Sequence, residues 1–193
     1  MNRIDKLIQT LCPQGVEYKQ LGEYLAYEQP NKYIVQSTNY HNDYEIPVLT
    51  AGDSFILGYT NEINGIYQAS KAKPVIIFDD FTTSLHWVDF KFKVKSSAMK
   101  LLQPKNNIIS FKYMYYIMKN IKYTPSEHSR QWISKYSKFQ IPIPPLETQN
   151  QIVAILDLLN NNTNILLKEL KELKELRIKQ YKYYLNELLN YAI

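Results

Sequence analysis

Two kinds of pattern divide this chain. Up to about residue 140, short apolar runs alternate with proline, glycine and polar clusters; beyond it, apolar residues recur at steps of three and four with almost no breaker. In residues 2–11, Ile4, Leu7, Ile8 and Leu11 fall on one face of a predicted short helix, closed by Cys12-Pro13-Gln14-Gly15. Val16 to Leu25 fits a strand or a second short helix. Ile46–Thr50, ended at Gly52-Asp53, and Phe55–Thr60 read as strands, with Asn64-Gly65 a turn signal before Ile66-Tyr67. Pro74–Phe78 is apolar throughout and predicts a strand buried on both faces, followed by a polar loop, Asp79–Ser84. Trp87 to Val94 alternates: Val88, Phe90, Phe92 and Val94 point one way, and Asp89, Lys91, Lys93 and Lys95 the other. That alternation predicts a single strand with a core face and a lysine face in solvent.

Phe111–Lys122 carries Met114, Tyr115, Ile117, Met118 and Ile121 at helical spacing, a stripe suited to core packing. Thr124–Tyr136 is polar and basic and reads as a loop. Next comes Ile141-Pro142-Ile143-Pro144-Pro145-Leu146-Glu147-Thr148-Gln149, which no helix can cross, because proline fixes its own φ and pushes the preceding residue into an extended shape. Pro145 suits the first helical position, and Glu147 in the first turn favours the helix dipole. From there a helix of roughly 65 Å is predicted at 1.5 Å per residue. Its stripe, Ile152, Leu156, Leu159, Leu166, Leu170, Leu173, Tyr184 and Leu188, has coiled-coil spacing, and one such helix cannot hide it alone. Asn160-Asn161-Asn162-Thr163-Asn164 interrupts the stripe, as a register device or a local break. The expected organisation is α+β: a mixed globular part, residues 1–143, and a long helix, residues 144–193.

Composition narrows the class. With 45% hydrophobic and 21% charged residues among 193, the chain is an ordinary globular protein, and its seventeen tyrosines suit surfaces both apolar and hydrogen-bonding. The single cysteine, Cys12, excludes an internal disulfide and fits a reducing, cytoplasmic setting. The first residues lack an apolar signal core, and no apolar run reaches the ~20 residues of a membrane span. Net charge is +5, but its distribution says more: residues 1–90 carry 6 Lys/Arg against 11 Asp/Glu, residues 139–193 balance, and residues 91–138 carry 11 Lys/Arg against one acid, Glu127. A block so one-signed points to a polyanion, with nucleic acid the default.

Catalytic signatures are sparse. His41, His86 and His128 stand apart without metal-ligand spacing, the five glycines form no phosphate loop, and no cofactor is called for. One constellation has chemistry: Asp79 with Asp89-Phe90-Lys91 on a neighbouring strand could hold a divalent metal and activate water, as a nuclease does. A metal-dependent nuclease is therefore one alternative; a coiled-coil scaffold with a basic head that binds RNA or another protein is a second.

Three stretches carry a family resemblance: Leu7 through Gly22; Pro74–Thr83 with Val94–Met99; and Ile141–Gln149, supported by Arg177–Tyr184. On these the chain resembles the specificity subunit of Type I restriction–modification enzymes, with Ile141–Gln149 matching the junction of a target-recognition domain and a spacer helix. The resemblance implies a component without catalytic residues that selects the DNA sequence while a methyltransferase subunit and a restriction subunit do the chemistry. Family members usually hold two such domains and two helices; one of each here reads as a half-subunit, expected to pair its helix antiparallel with a second copy and read an inverted repeat. Lys91, Lys93, Lys95, Lys100, Lys135 and Lys138 are candidate phosphate contacts. Thr82, Thr83, Ser84, His86, Ser129, Arg130 and Gln131 are candidate base readers, Arg130 foremost because its fork matches guanine.

Overall fold

The computed structural model describes residues 10–50 and 54–190; the predicted helix at 2–11 lies mostly outside them, as does the strand end at Gly52-Asp53. In chain order the elements are β1 (Glu17–Gln20), α1 (Leu21–Tyr24), β2 (Leu25–Glu28), a 3-10 turn (Pro30–Tyr33), β3 (Ile46–Leu49), β4 (Ile56–Thr60), β5 (Val75–Asp79) and β6 (Leu85–Val88). Then come β7 (Lys93–Val94), β8 (Met99–Pro104), α2 (Phe111–Asn120), a second 3-10 turn (Tyr136–Lys138), β9 (Gln140–Ile143) and α3 (Leu146–Asn190). This is the expected α+β fold with a long C-terminal helix.

β5 is apolar from Val75 to Phe78 because neither of its faces meets water there. It lies between β8 and β6 in an antiparallel sheet of order β2-β8-β5-β6. On one face Val75 and Ile77, with Met99 and Leu101 of β8, pack against Leu49 and Val94 of a second sheet, ordered β4-β3-β7, and against Phe92 just before β7. On the other, Phe78 meets Trp132 and Tyr136 at ring distances of 5.2 and 4.7 Å, and Trp87 meets Phe111 and Tyr115 of α2. Met114 and Met118 are buried, as the stripe required.

The alternating stretch Trp87–Val94 is not one strand. β6 ends at Val88 in the four-stranded sheet, and β7 begins at Lys93, parallel to β3 in the other. The chain changes sheets at Asp89–Phe92, so the alternation fails as a guide: Phe90 is exposed and Lys93 buried. The Asn64-Gly65 turn is present with Gly65 at φ +62°, where a Cβ would collide with the Lys32 carbonyl, but Tyr67 then bridges Phe92 rather than returning along β4.

The proline segment forms β9, paired antiparallel with β1 so that Tyr18 opposes Pro142. Pro145 stands one position before the first helical residue rather than on it, its carbonyl accepting from Gln149 N at 3.0 Å. Gln149, 1% exposed, fixes this start: Oε1 accepts from Ser110 N at 2.9 Å, and Nε2 donates to the Pro144 carbonyl at 2.8 Å. One compact unit accordingly ends at Asn150, and a second begins at Gln151.

α3 runs 45 residues, about 67 Å. The asparagine cluster does not break it; Thr163 Oγ1 bonds back to the Leu159 carbonyl at 2.9 Å within a continuous helix. Leu159, Leu166, Leu170, Leu173, Tyr184 and Leu188 are exposed along its length, while Ile152 and Leu156 are half-buried. Among the described residues no helix is long and apolar enough to cross a membrane.

Two predictions follow from this packing. Gln149→Ala strands the half-buried Ser110 amide and the Pro144 carbonyl and should lower the unfolding free energy by about 1–3 kcal/mol in denaturant titrations, whereas Gln151→Ala, at an exposed position, should change it by less than about 0.5 kcal/mol. Burial pushes the Tyr113 phenol up to about 12, and Tyr136 higher still. The unfolded chain ionises these phenols near their ordinary value of 10 while the folded chain holds them neutral. Stability should therefore be full below pH 10 and fall as pH rises from 10 through 12, less steeply in Tyr113→Phe.

Candidate nucleic-acid interface

β5 ends at Asp79 and Asp80 follows directly, and the two acids serve different partners, as successive residues along an extended chain do. Each organises a different loop. Asp79 holds the β5–β6 turn: Oδ1 accepts from Phe81 N at 2.8 Å and Thr82 N at 3.2 Å, its carbonyl accepts from Thr83 N at 2.9 Å, and its amide donates to the Ser84 carbonyl at 3.0 Å. Asp80 holds the 127–132 loop: Oδ1 accepts from Trp132 N at 2.9 Å and its carbonyl from Gln131 N at 2.8 Å. Its own amide donates to the Ala98 carbonyl at 3.1 Å, tying in the approach to β8.

The other Asp80 oxygen faces charge. It is buried without an aligned hydrogen bond; Lys100 Nζ lies 3.2 Å away and Arg130 Nη1 3.6 Å away. The Lys100 side chain is 2% exposed and that of Arg130 50%. Gln29, just beyond β2, completes the set: with its amide oriented to suit its neighbours, Oε1 accepts from Lys100 Nζ at 2.6 Å and Arg130 Nη1 at 2.9 Å. Lys100 also lies 4.6 Å from the Tyr27 ring, and Arg130 6.0 Å from the Phe81 ring, on which His128 stacks at 4.7 Å. One end of the four-stranded sheet thus gathers short polar side chains, an aromatic pair and a half-exposed arginine.

The candidate base readers are distributed unequally over this end. Thr82, Thr83 and Ser84 form the turn, and Thr83 has φ +62°, a conformation costly for a β-branched side chain. Its hydroxyl donates to the Thr82 carbonyl at 2.6 Å, and Thr82 Oγ1 donates to Ser84 Oγ at 3.2 Å. Ser129 and Arg130 stand on the second loop. Gln131 does not face outward: it is fully buried, accepting from Tyr123 OH at 2.7 Å and donating to Ser129 O and Oγ at 2.7 and 3.0 Å. It knots the loop and has no reach to a base. His86 lies on β6 rather than in the turn, its ring stacked on Phe55 at 3.8 Å. Burial lowers its pKa, Lys119 adds to this, and Asp79 opposes it.

Two of the six candidate phosphate lysines are inward. Lys100 is spent on Asp80 and Gln29. Lys93, 3% exposed, pairs with Glu62 at 2.9 Å and donates to the Asn64 carbonyl at 2.6 Å. Burial pushes the Glu62 carboxyl up, but the hydrogen bond from Lys93 and those from Ser37 and Gln36 amides outweigh it, leaving Glu62 lowered. Neither ammonium can reach a phosphate in this conformation. Lys91, Lys95, Lys135 and Lys138 are exposed; Lys91 follows the far end of β6, beside Pro47 and Tyr59, apart from the loops above.

The nuclease constellation does not assemble. Val88 pairs with Val75 and Leu85 with Phe78, so Asp89 and Asp79 flank opposite ends of the hairpin. Five residue steps along the hairpin separate them, roughly 17 Å, beyond the span of one metal ion. Among the described residues no group of three His, Cys, Asp or Glu is placed to hold a metal.

Sequence reasoning missed Gln29, Phe81 and His128 as parts of this end, took Asp79 and Asp80 for the start of a polar loop, and weighed Asp79 as a metal ligand. The two acids at the end of an apolar run were a usable signal. Gln29 had none, because only the pairing of β2 with β8 brings it here.

Comparison with known proteins defines the class. Residues 13–175 match the type I restriction modification DNA specificity domain, and the chain belongs to that family. It is 49% identical over 201 aligned positions to the EcoR124I/EcoR124II type I restriction enzyme specificity subunit of Escherichia coli, an alignment covering 99% of this chain and 48% of that one. The chain thus spans about half the length of that relative. The fold is shared with the S subunit of a type I restriction–modification system from M. genitalium, at TM-score 0.60 and 17% identity, over 86% of this chain and 44% of that one. It is shared too with a chain from a structure addressing complex assembly and conformational transition of the type I R-M system, at TM-score 0.55 and 15% identity, over 84% and 45%.

Asp80→Ala leaves the Lys100 ammonium buried and unpaired and should cost about 3–5 kcal/mol of unfolding free energy. Asp80→Ala with Lys100→Met should recover much of that loss in the same denaturant titration. Equal losses in the single and double variants would contradict the pairing.

Proposed function

We propose that this chain is a sequence-reading, non-catalytic part of a Type I restriction–modification enzyme, working in the cytoplasm on double-stranded DNA. One observation carries the reading: in a chain of this family, the end of the β2-β8-β5-β6 sheet presents a held polar turn beside a held loop that bears Arg130 and belongs to the segment richest in cations. Short hydroxyl side chains at Thr82, Thr83, Ser84 and Ser129, with Arg130, are the groups that read base edges. Lys95, Lys135 and Lys138 supply sequence-independent phosphate contacts, and Lys91 an outlying one.

The exposed stripe of α3 is the second half of the proposal. Leu159, Leu166, Leu170 and Leu173 need an apolar partner, and a second copy of the same helix, packed antiparallel, provides one with twofold symmetry. Two such chains read an inverted repeat with a fixed gap, and methyltransferase and restriction subunits supply the chemistry.

Gel shifts on duplexes that differ only in the gap between half-sites, with the methyltransferase subunit present, test this reading. One gap length should bind best; equal binding at every gap contradicts the paired helices, and no sequence preference contradicts the reading itself. Lys135→Ala and Lys138→Ala should weaken binding to all sequences alike, each reducing the slope of log K against log salt by about 0.9.

A further inference from the structure

The geometry points to a guanine-reading site at Arg130, presented by three positioning residues, Asp80, Lys100 and Gln29. The inference rests on the DNA-reading role proposed above and deepens it. Arg130 is the half-exposed member of a cluster whose other charged groups are withdrawn from water: the Asp80 and Lys100 side chains are 1% and 2% exposed. The cluster holds two cations and one anion, so Lys100 neutralises Asp80 and the arginine charge is left over. Burying an ion pair here is a poor route to stability, since apolar residues of similar volume serve as well. What apolar residues cannot do is hold a guanidinium. Asp80 and Gln29 engage the same atom, Nη1, from 3.6 and 2.9 Å, and the Phe81 ring lies 6.0 Å from the guanidinium carbon. A guanidinium has five donors in one plane, so anchoring one arm sets the plane and leaves donors for a ligand.

The ligand that matches two parallel donors of a fixed fork is a planar edge with two adjacent acceptors. In a duplex that is the major-groove edge of guanine, O6 with N7. A phosphate oxygen would also accept from arginine, but a phosphate needs only a point charge, which the exposed lysines supply without a buried cage. The uncharged Thr82, Thr83 and Ser84 of the adjoining turn are likewise suited to base edges rather than to phosphates.

Selection from a random-sequence duplex pool by the whole chain, with the methyltransferase subunit, followed by sequencing, tests the site. Wild type should select a half-site containing guanine. Arg130→Lys, which keeps the charge and loses the fork, should reduce preference at one G·C pair roughly 5- to 150-fold while sparing the other positions and the salt slope. Gln29→Ala, which leaves the fork and loosens it, should blunt the same position and no other. Both lie at least partly on the surface, and melting curves matching wild type check that each folds. A loss spread evenly over the half-site, or a half-site unchanged by Arg130→Lys, overturns the guanine site and leaves the DNA-reading role standing. A wild type that selects no half-site overturns that role and this inference with it.

Discussion

Everything at the loop-bearing end of the sheet depends on one buried carboxylate. Asp80 is held at the end of the most deeply buried strand, where desolvation makes its charge costly and any unpaired state more so. Lys100 relieves that cost from the neighbouring strand β8, because Lys100 pairs across the sheet with Phe78, two residues before the acid. With its charge met from inside, Asp80 is free to take the backbone of the 127–132 loop and the side chain of Arg130 from outside. A carboxylate anchored on a rigid strand is thus how this fold gives a loop the precision of a sheet.

The neighbouring Asp79 does the same for the β5–β6 turn, and the pair divides the work because strand geometry sends consecutive side chains apart. That division explains why Thr83 keeps a conformation its branched side chain resists. Asp79 fixes the turn through both its side chain and its backbone, so the strain at one residue is overruled by four hydrogen bonds.

Much of this was legible in the chain itself. The apolar run at Val75–Phe78, the methionine stripe of α2, the proline segment and the long helix each declare themselves through local rules of periodicity and backbone geometry, and each was found where those rules put it. The site was legible only in part. The turn at Thr82–Ser84 and the loop at Ser129–Arg130 were recognisable as polar loops, but Lys93, Lys100 and Gln131 read as outward-facing DNA contacts because their partners are remote or hidden. Glu62 is 31 residues from Lys93, Asp80 is 20 from Lys100, and nothing local reveals such pairings. The alternation at Trp87–Val94 misled for a related reason: a period of two describes a strand within one sheet, and here the chain crosses to another.

Amide hydrogen exchange at single-residue resolution tests the central claim most directly. If Asp79 and Asp80 hold the two loops, the amides of Phe81, Gln131 and Trp132 should exchange slowly, with protection approaching that of β5 itself. Exchange at those three amides as fast as at the Thr124 and Ser126 amides, which flank Pro125, would show that the carboxylates do not hold the loops, and the account of the interface would fail with them.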